Sequence, residues 1–200
     1  MNTVEIRPKI LYYGTPVALL CTENDDSTFN LAPMSSSWAL GYTVVLGLGR
    51  SGQTAANLLE RPDLTINFPS PEMVHSVERL APLTGRDPVP EEKHAQFRTE
   101  RHKFEAAGLT PTPSIDVSPP RVTECPLQFE ARVVRMRSLE AESAYVVEAR
   151  VLRVHAHDAI VEPPAHIDVR RWHPLLYVYR HYFGRGTHLG ATFRAETHGM

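Results

Sequence analysis

The sequence predicts a mainly β domain, a small antiparallel barrel with helices on its flank, and three observations carry that prediction. Residues 125–136 and 145–157 alternate apolar and polar positions over strand lengths, and residues 175–179 form a third apolar run, the pattern of a meander. Near the N-terminus, the apolar run 15–22, the turn chemistry of residues 23–27 and a new element from Phe29 read as a hairpin. Helical character is confined to the middle of the chain.

Each element follows in order. The strand at 42–46 leads through a polar loop to a helix at 51–60 and a strand at 64–68. A second helix is expected at 71–80, with Pro71 at its first position, and a third at 90–107, where Phe97 and Phe104 stand among charges and Gly108 occupies the C-terminal cap. The proline-rich stretch 110–120 is expected to run extended over a surface. In the strand that follows, Leu127, Phe129, Ala131 and Val133 share one side, and Gln128, Glu130 and Arg132 the other.

The chain of 200 residues, 42% of them hydrophobic, suffices for one domain with a real core, so residues 1–200 are read as a single unit. A formal charge of −2 gives no basic face for nucleic acid. The two cysteines, Cys21 and Cys125, are too few for a disulfide framework or a cysteine zinc site, which fits a reducing compartment. The first twenty residues have an early acid and no long apolar region, and no run reaches membrane-span length, so a soluble cytoplasmic protein without membrane contact is expected.

Gly47-Leu48-Gly49-Arg50-Ser51-Gly52 matches the G-x-G-x-x-G dinucleotide fingerprint between a strand and a helix. The fingerprint also needs an acid at the tip of the next strand, and that strand ends in Pro69-Ser70-Pro71, so a Rossmann fold is not expected. What remains is the helix N-terminus, whose unpaired N–H groups favour an anion, surrounded by Arg50, Ser51, Gln53 and Thr54. Upstream, Ser35, Ser36 and Ser37 offer three hydroxyls in a loop suited to a phosphate and a sugar-like chain, and Arg50 is a permanent cation. If residues 38–48 form one strand, its two ends lie apart and these loops meet only if the chain returns. Each residue also has a plain reading: a polar turn at 35–37, a helix hydroxyl at Thr54, an exposed Asn57, a solvated Arg50.

In order, Thr15-Pro16-Val17, Asn30-Leu31-Ala32-Pro33-Met34-Ser35-Ser36-Ser37-Trp38, Thr54-Ala55-Ala56-Asn57-Leu58, Ile66-Asn67-Phe68-Pro69, Lys103-Phe104 and Ala107-Gly108-Leu109 resemble the flavin reductase-like family, from Gly14 onward. The resemblance implies an FMN-binding split β-barrel, Greek-key-like with flanking helices, that forms a homodimer. It also implies FMN contacts for Asn30, Ala32, Pro33, Met34, Ser35, Ser36, Ser37, Arg50, Ser51, Thr54 and Asn57. The activity it implies is an NAD(P)H-dependent flavin reductase, with NADH or NADPH as hydride donor and an oxygenase or redox protein as partner. The alternative is an FMN-binding electron carrier of the flavoredoxin type, and a third reading keeps the barrel for another ligand such as haem.

No catalytic side chain is expected, because a flavin carries the redox chemistry itself. His155 and His157 share a strand face beside Asp158, yet two histidines in a polar turn lack an identifiable third ligand, so no metal is assigned. The aromatic segment 172–183, with His173 and His181, and His188 beyond it, is read as pocket lining or as core and dimer surface. Arg185 is a candidate for a pyridine nucleotide phosphate.

Overall fold

The computed structural model describes residues 1–184 and 186–189. In chain order its principal elements are β1 (Tyr13–Pro16), β2 (Ala18–Glu23), β3 (Phe29–Met34), β4 (Ser37–Leu40), β5 (Thr43–Gly49), α1 (Gln53–Glu60), β6 (Asp63–Phe68), α2 (Val74–Leu80), α3 (Lys103–Ala107), β7 (Leu127–Leu139), β8 (Ala144–Ala156), β9 (Leu176–Val178) and β10 (His181–Phe183).

Seven strands form one antiparallel sheet in the order β3-β2-β6-β7-β8-β5-β4. The expected meander is corrected at its third strand: after β8 the chain makes a 3-10 turn and a short hairpin, and β9 then pairs with β1 and β10 in a separate three-stranded sheet. The edge strands of the seven-stranded sheet, β3 and β4, are joined in the chain by Ser35 and Ser36 alone. A flat sheet would hold its edges six strand spacings apart, roughly 29 Å at about 4.8 Å each. The chain from Met34 to Ser37 reaches only about 10 Å. The sheet therefore curls until its edges approach, which gives the expected split barrel.

The run Ala18-Leu19-Leu20-Cys21 is apolar at every position, as a strand covered on both faces must be. Ala18 and Leu20 join Leu46, Leu64, Ile66, Val147 and Ala149 in the barrel interior, which Ala55 and Leu58 of α1 also enter. Leu19 and Cys21 face outward onto Val77 and Leu80 of α2 and Ala107 of α3. β5 and β6, on either side of α1, are antiparallel and separated by β7 and β8, so no βαβ unit exists around the glycine fingerprint.

The expected helix at 90–107 is corrected. Only a 3-10 turn at Glu91–Lys93 and the five-residue α3 form, because residues 98–99 pair in parallel with 83–84. Too few apolar residues recur at helical spacing in this segment to outweigh that pairing, and Glu100 accepts the His102 N–H at 2.7 Å to start α3 afresh. Gly108 caps α3 at φ +65°, with Leu109 N–H bonded to Phe104 O at 2.9 Å. Pro71 opens a 3-10 turn, Pro71–Met73, that leads into α2.

Several side chains tie the proline-rich connector to the sheet: Ser118 donates to Glu23 at 2.5 Å, Arg153 pairs with Asp116 at 2.8 Å, Thr65 donates to Pro120 O at 2.8 Å, and Glu130 is the buried anchor among them. Glu130 on β7 is fully buried and accepts the N–H groups of Ile115 at 3.0 Å and Asp116 at 2.5 Å, while His155 Nε2 lies 2.7 Å away. Glu130→Ala strands these groups without their shared acceptor and is expected to cost about 3 kcal/mol of stability, read from the urea midpoint.

Candidate functional site

Between the serine loop and α1 the chain does not run straight. It reverses at Gly41-Tyr42, with Gly41 at φ +56°, and β4 pairs back on β5 with Ser37 opposite Leu46. The single strand expected over 38–48 is therefore a hairpin, and the two loops expected at its opposite ends lie side by side. Gly47 N–H donates to Ser36 O at 2.8 Å. A Cβ on Gly47 would sit 3.1 Å from Ser36 Cβ, so this glycine of the apparent fingerprint serves close approach of two strands.

A cavity of about 740 Å³ opens at this junction. Asn30, Ala32, Pro33 and Met34 of β3, with Ser35 and Ser36, form one wall. A second is built from the end of β5 and the first turn of α1, including Gln53 and Thr54. Lys93, Phe97 and Lys103 come from the segment before and within α3, and Tyr12, Tyr177, Arg180, His181 and Tyr182 close the remaining side.

The donor set suits an anion with a polar chain. No side chain caps α1, whose N-cap is Gly52, so its first N–H groups stay open beside the cavity. Asn30 Nδ2 donates to Thr54 Oγ1 at 3.0 Å, while Asn30 Oδ1, buried, has no partner among the described residues. A buried acceptor on a cavity wall calls for a donor from a ligand. Gly85 keeps the wall thin here: a Cβ would fall 2.8 Å from Gln53 Cγ and 3.0 Å from Asn30 Oδ1.

Lys103 supplies buried charge. Its ammonium donates to Leu83 O at 3.2 Å and retains two further donors, and burial lowers its pKa to about 8, with Lys93 adding repulsion. Across the cavity, Tyr182 donates its hydroxyl to Glu78 at 2.6 Å. Rings of Tyr12, Tyr177 and Tyr182 follow one another at 5.5 and 5.4 Å between centroids. Tyr179 and Arg180, in the turn between β9 and β10, both have positive φ, 45° and 70°, a geometry that costs non-glycine residues about 1–2 kcal/mol each.

Of the residues expected to touch a cofactor, Asn30, Ala32, Pro33, Met34, Ser35, Ser36 and Thr54 lie on this wall, and Ser37, Arg50, Ser51 and Asn57 do not. Arg50 is exposed, paired with Glu140 at 2.8 Å and set over the Tyr145 ring. Ser37 sits within β4, and Ser51 lies in the turn just before α1. Asn57 is buried one turn below the wall, donating to Thr22 and Asn24 and accepting from Gln53 at 2.7 Å, so it fixes a side chain that does line the cavity.

His155 is engaged by Glu130 and His157 by Thr123 O. Arg185 lies outside the described residues. Sequence reasoning missed Lys103, Tyr12 and Gly85 as wall residues. Only the lone lysine heading a short apolar helix carried a signal. Burial raises both thiol pKa values and leaves Cys21 and Cys125 inert.

Comparison with known proteins places the geometry in context. A family model described as "Flavin reductase like domain" matches residues 10–186. An uncharacterized protein of Bacillus subtilis, YdfE, is 46% identical over 195 residues, covering 96% of this chain and 94% of its own length. Flavoredoxin of Desulfovibrio vulgaris superposes with a TM-score of 0.80 at 21% identity, covering 98% of this chain and 100% of its own. Nitrilotriacetate monooxygenase component B from Bacillus cereus gives 0.73 at 18% identity, covering 92% and 89%.

Because Lys103 loses its proton more readily folded than unfolded, the ligand-free protein should gain stability as pH rises from about 8 toward the ordinary lysine value of 10.5. Urea denaturation across that window is expected to show this slope in the parent protein and a shallower one in Lys103→Met.

Proposed function

The chain belongs to the flavin reductase-like family, and from that premise we propose that it is an FMN-dependent NAD(P)H:flavin oxidoreductase, a cytoplasmic homodimer that passes reduced flavin to a partner oxygenase or redox protein. The observation that carries this reading is the orphaned Asn30 Oδ1 in a cavity that also holds open N–H groups at the start of α1, serine hydroxyls and a buried ammonium.

FMN, when bound, supplies the chemistry by taking a hydride from the nicotinamide and giving up electrons to an acceptor. The chain's own residues hold and shield it. Thr54, the first turn of α1 and Lys103 are donors for the phosphate. Ser35 and Ser36 offer hydroxyls to the ribityl chain, and Asn30 Oδ1 accepts from a ligand N–H or O–H. Val17, Leu20, Val77 and Leu83 give the cavity apolar surface that limits water. No side chain has to act as nucleophile or acid.

The homodimer is supported by exposed Trp38, Leu40 and Tyr42 on the β4–β5 hairpin, with Leu152 and Val154 of β8 also exposed. Similarity to a monooxygenase component supports the oxygenase partner. The electron-carrier reading draws its support from the end-to-end superposition on flavoredoxin.

Anaerobic visible spectra of the FMN-loaded protein separate the two readings. Bleaching by NADH or NADPH is expected, whereas bound flavin reduced only by a protein reductase would establish the carrier. In FMN titrations, Thr54→Val should weaken binding about tenfold through one lost charge-assisted bond, while Arg50→Ala stays within about twofold. Equal losses would put Arg50 at the phosphate.

A further inference from the structure

The cavity carries cationic side chains from two unconnected parts of the chain. Lys93 and Lys103 come from the segment around α3, and Lys103 bonds Leu83 O beside Gly85, the glycine that closes on Asn30 and Gln53. In the reading above, this group and the open start of α1 hold the single phosphate of FMN. Arg180 comes from the β9–β10 turn, next to Tyr177 and Tyr182, and that reading gives it no part in holding the FMN phosphate.

Resting on the reading above, we propose that Arg180 binds a phosphate of the dinucleotide hydride donor, as that substrate enters along the Tyr12–Tyr177–Tyr182 side of the cavity. Three observations support the assignment. Its guanidinium makes no ion pair or side-chain hydrogen bond among the described residues, and Glu78, the carboxylate on the same wall, is engaged by the Tyr182 hydroxyl at 2.6 Å. Its backbone is strained: the two-residue turn from Val178 to His181 needs positive φ at both positions, which Asn-Gly would meet at least cost, yet the chain places Tyr179 and Arg180 there. Beside it stand three aromatic rings at edge-to-face and tilted spacings, flat apolar surfaces suited to a nicotinamide or adenine ring. A planar fork of donors beside ring surfaces matches a nucleotide phosphate better than a lone point charge would.

That phosphate is either the 2′-phosphate of NADPH or the pyrophosphate shared with NADH, and titration distinguishes them. Calorimetry of NADP⁺ and NAD⁺ onto FMN-loaded parent protein and Arg180→Gly is expected to show at least tenfold weaker binding in the variant. Loss confined to NADP⁺ assigns the 2′-phosphate, and loss for both nucleotides assigns the pyrophosphate. Unchanged binding of both overturns the proposal. Glycine relaxes the turn, so the variant should also melt a few degrees higher. A lower melting temperature alongside lost binding would make Arg180 a scaffold residue and overturn the assignment. Parent protein that holds FMN but binds neither nucleotide would instead sink the reductase reading itself, and that result appears before the variant is measured.

Discussion

Two serines span the gap between the edges of a seven-stranded sheet, and that short tether governs what the rest of the molecule can do. With β3 and β4 at opposite edges and only Ser35 and Ser36 between them, the sheet has no flat solution. Curling buries Leu20, Leu46, Leu64, Ile66 and Val147 against one another as a barrel interior, and hydrophobic burial there stabilises the curvature that the tether demands. The tether is also the place where backbone leaves the ladder, so it presents hydroxyls and amides that the sheet has not consumed.

The β4–β5 hairpin turns this constraint into a site. Reversal at Gly41-Tyr42 returns the chain to the split, places Gly47 against Ser36, and starts α1 within reach of β3. Two polar elements separated by a strand pair in sequence thus converge on one cavity. Lys103 and Gly85 then complete it from the outer layer, where α2 and α3 cover the second face of β2. The charge balance is uneven: a desolvated ammonium and an uncapped helix start meet an orphaned acceptor, and an anionic ligand with hydrogen-bond donors relieves all three.

Where local signals were strong, the sequence foretold the structure. Alternation in residues 125–136 and 145–157 became β7 and β8, the apolar run and turn near the N-terminus became the β2–β3 hairpin, and Gly108 capped a helix at positive φ. The failures have physical causes. The segment 90–107 has charges and a capping glycine but too little apolar periodicity, and a short parallel pairing with residues 83–84 decided its path. Arg50 stood beside the right helix in sequence but found Glu140, ninety residues away, at 2.8 Å.

By itself the sequence determined the strands β2, β6, β7 and β8, the absence of a Rossmann acid after β6, and the hydroxyl-rich loop and helix start as candidate anion binders. These follow from periodicity, turn chemistry and residue type, which are local properties. Only the tertiary structure decided which of those residues share a cavity. Thr54 faces it while Asn57, one turn on, is buried behind, and Lys103 and Arg180 reach it from segments that the sequence does not connect. Side-chain direction and long-range pairing depend on how the sheet curls, and curling is a property of the closed set of strands rather than of any one of them.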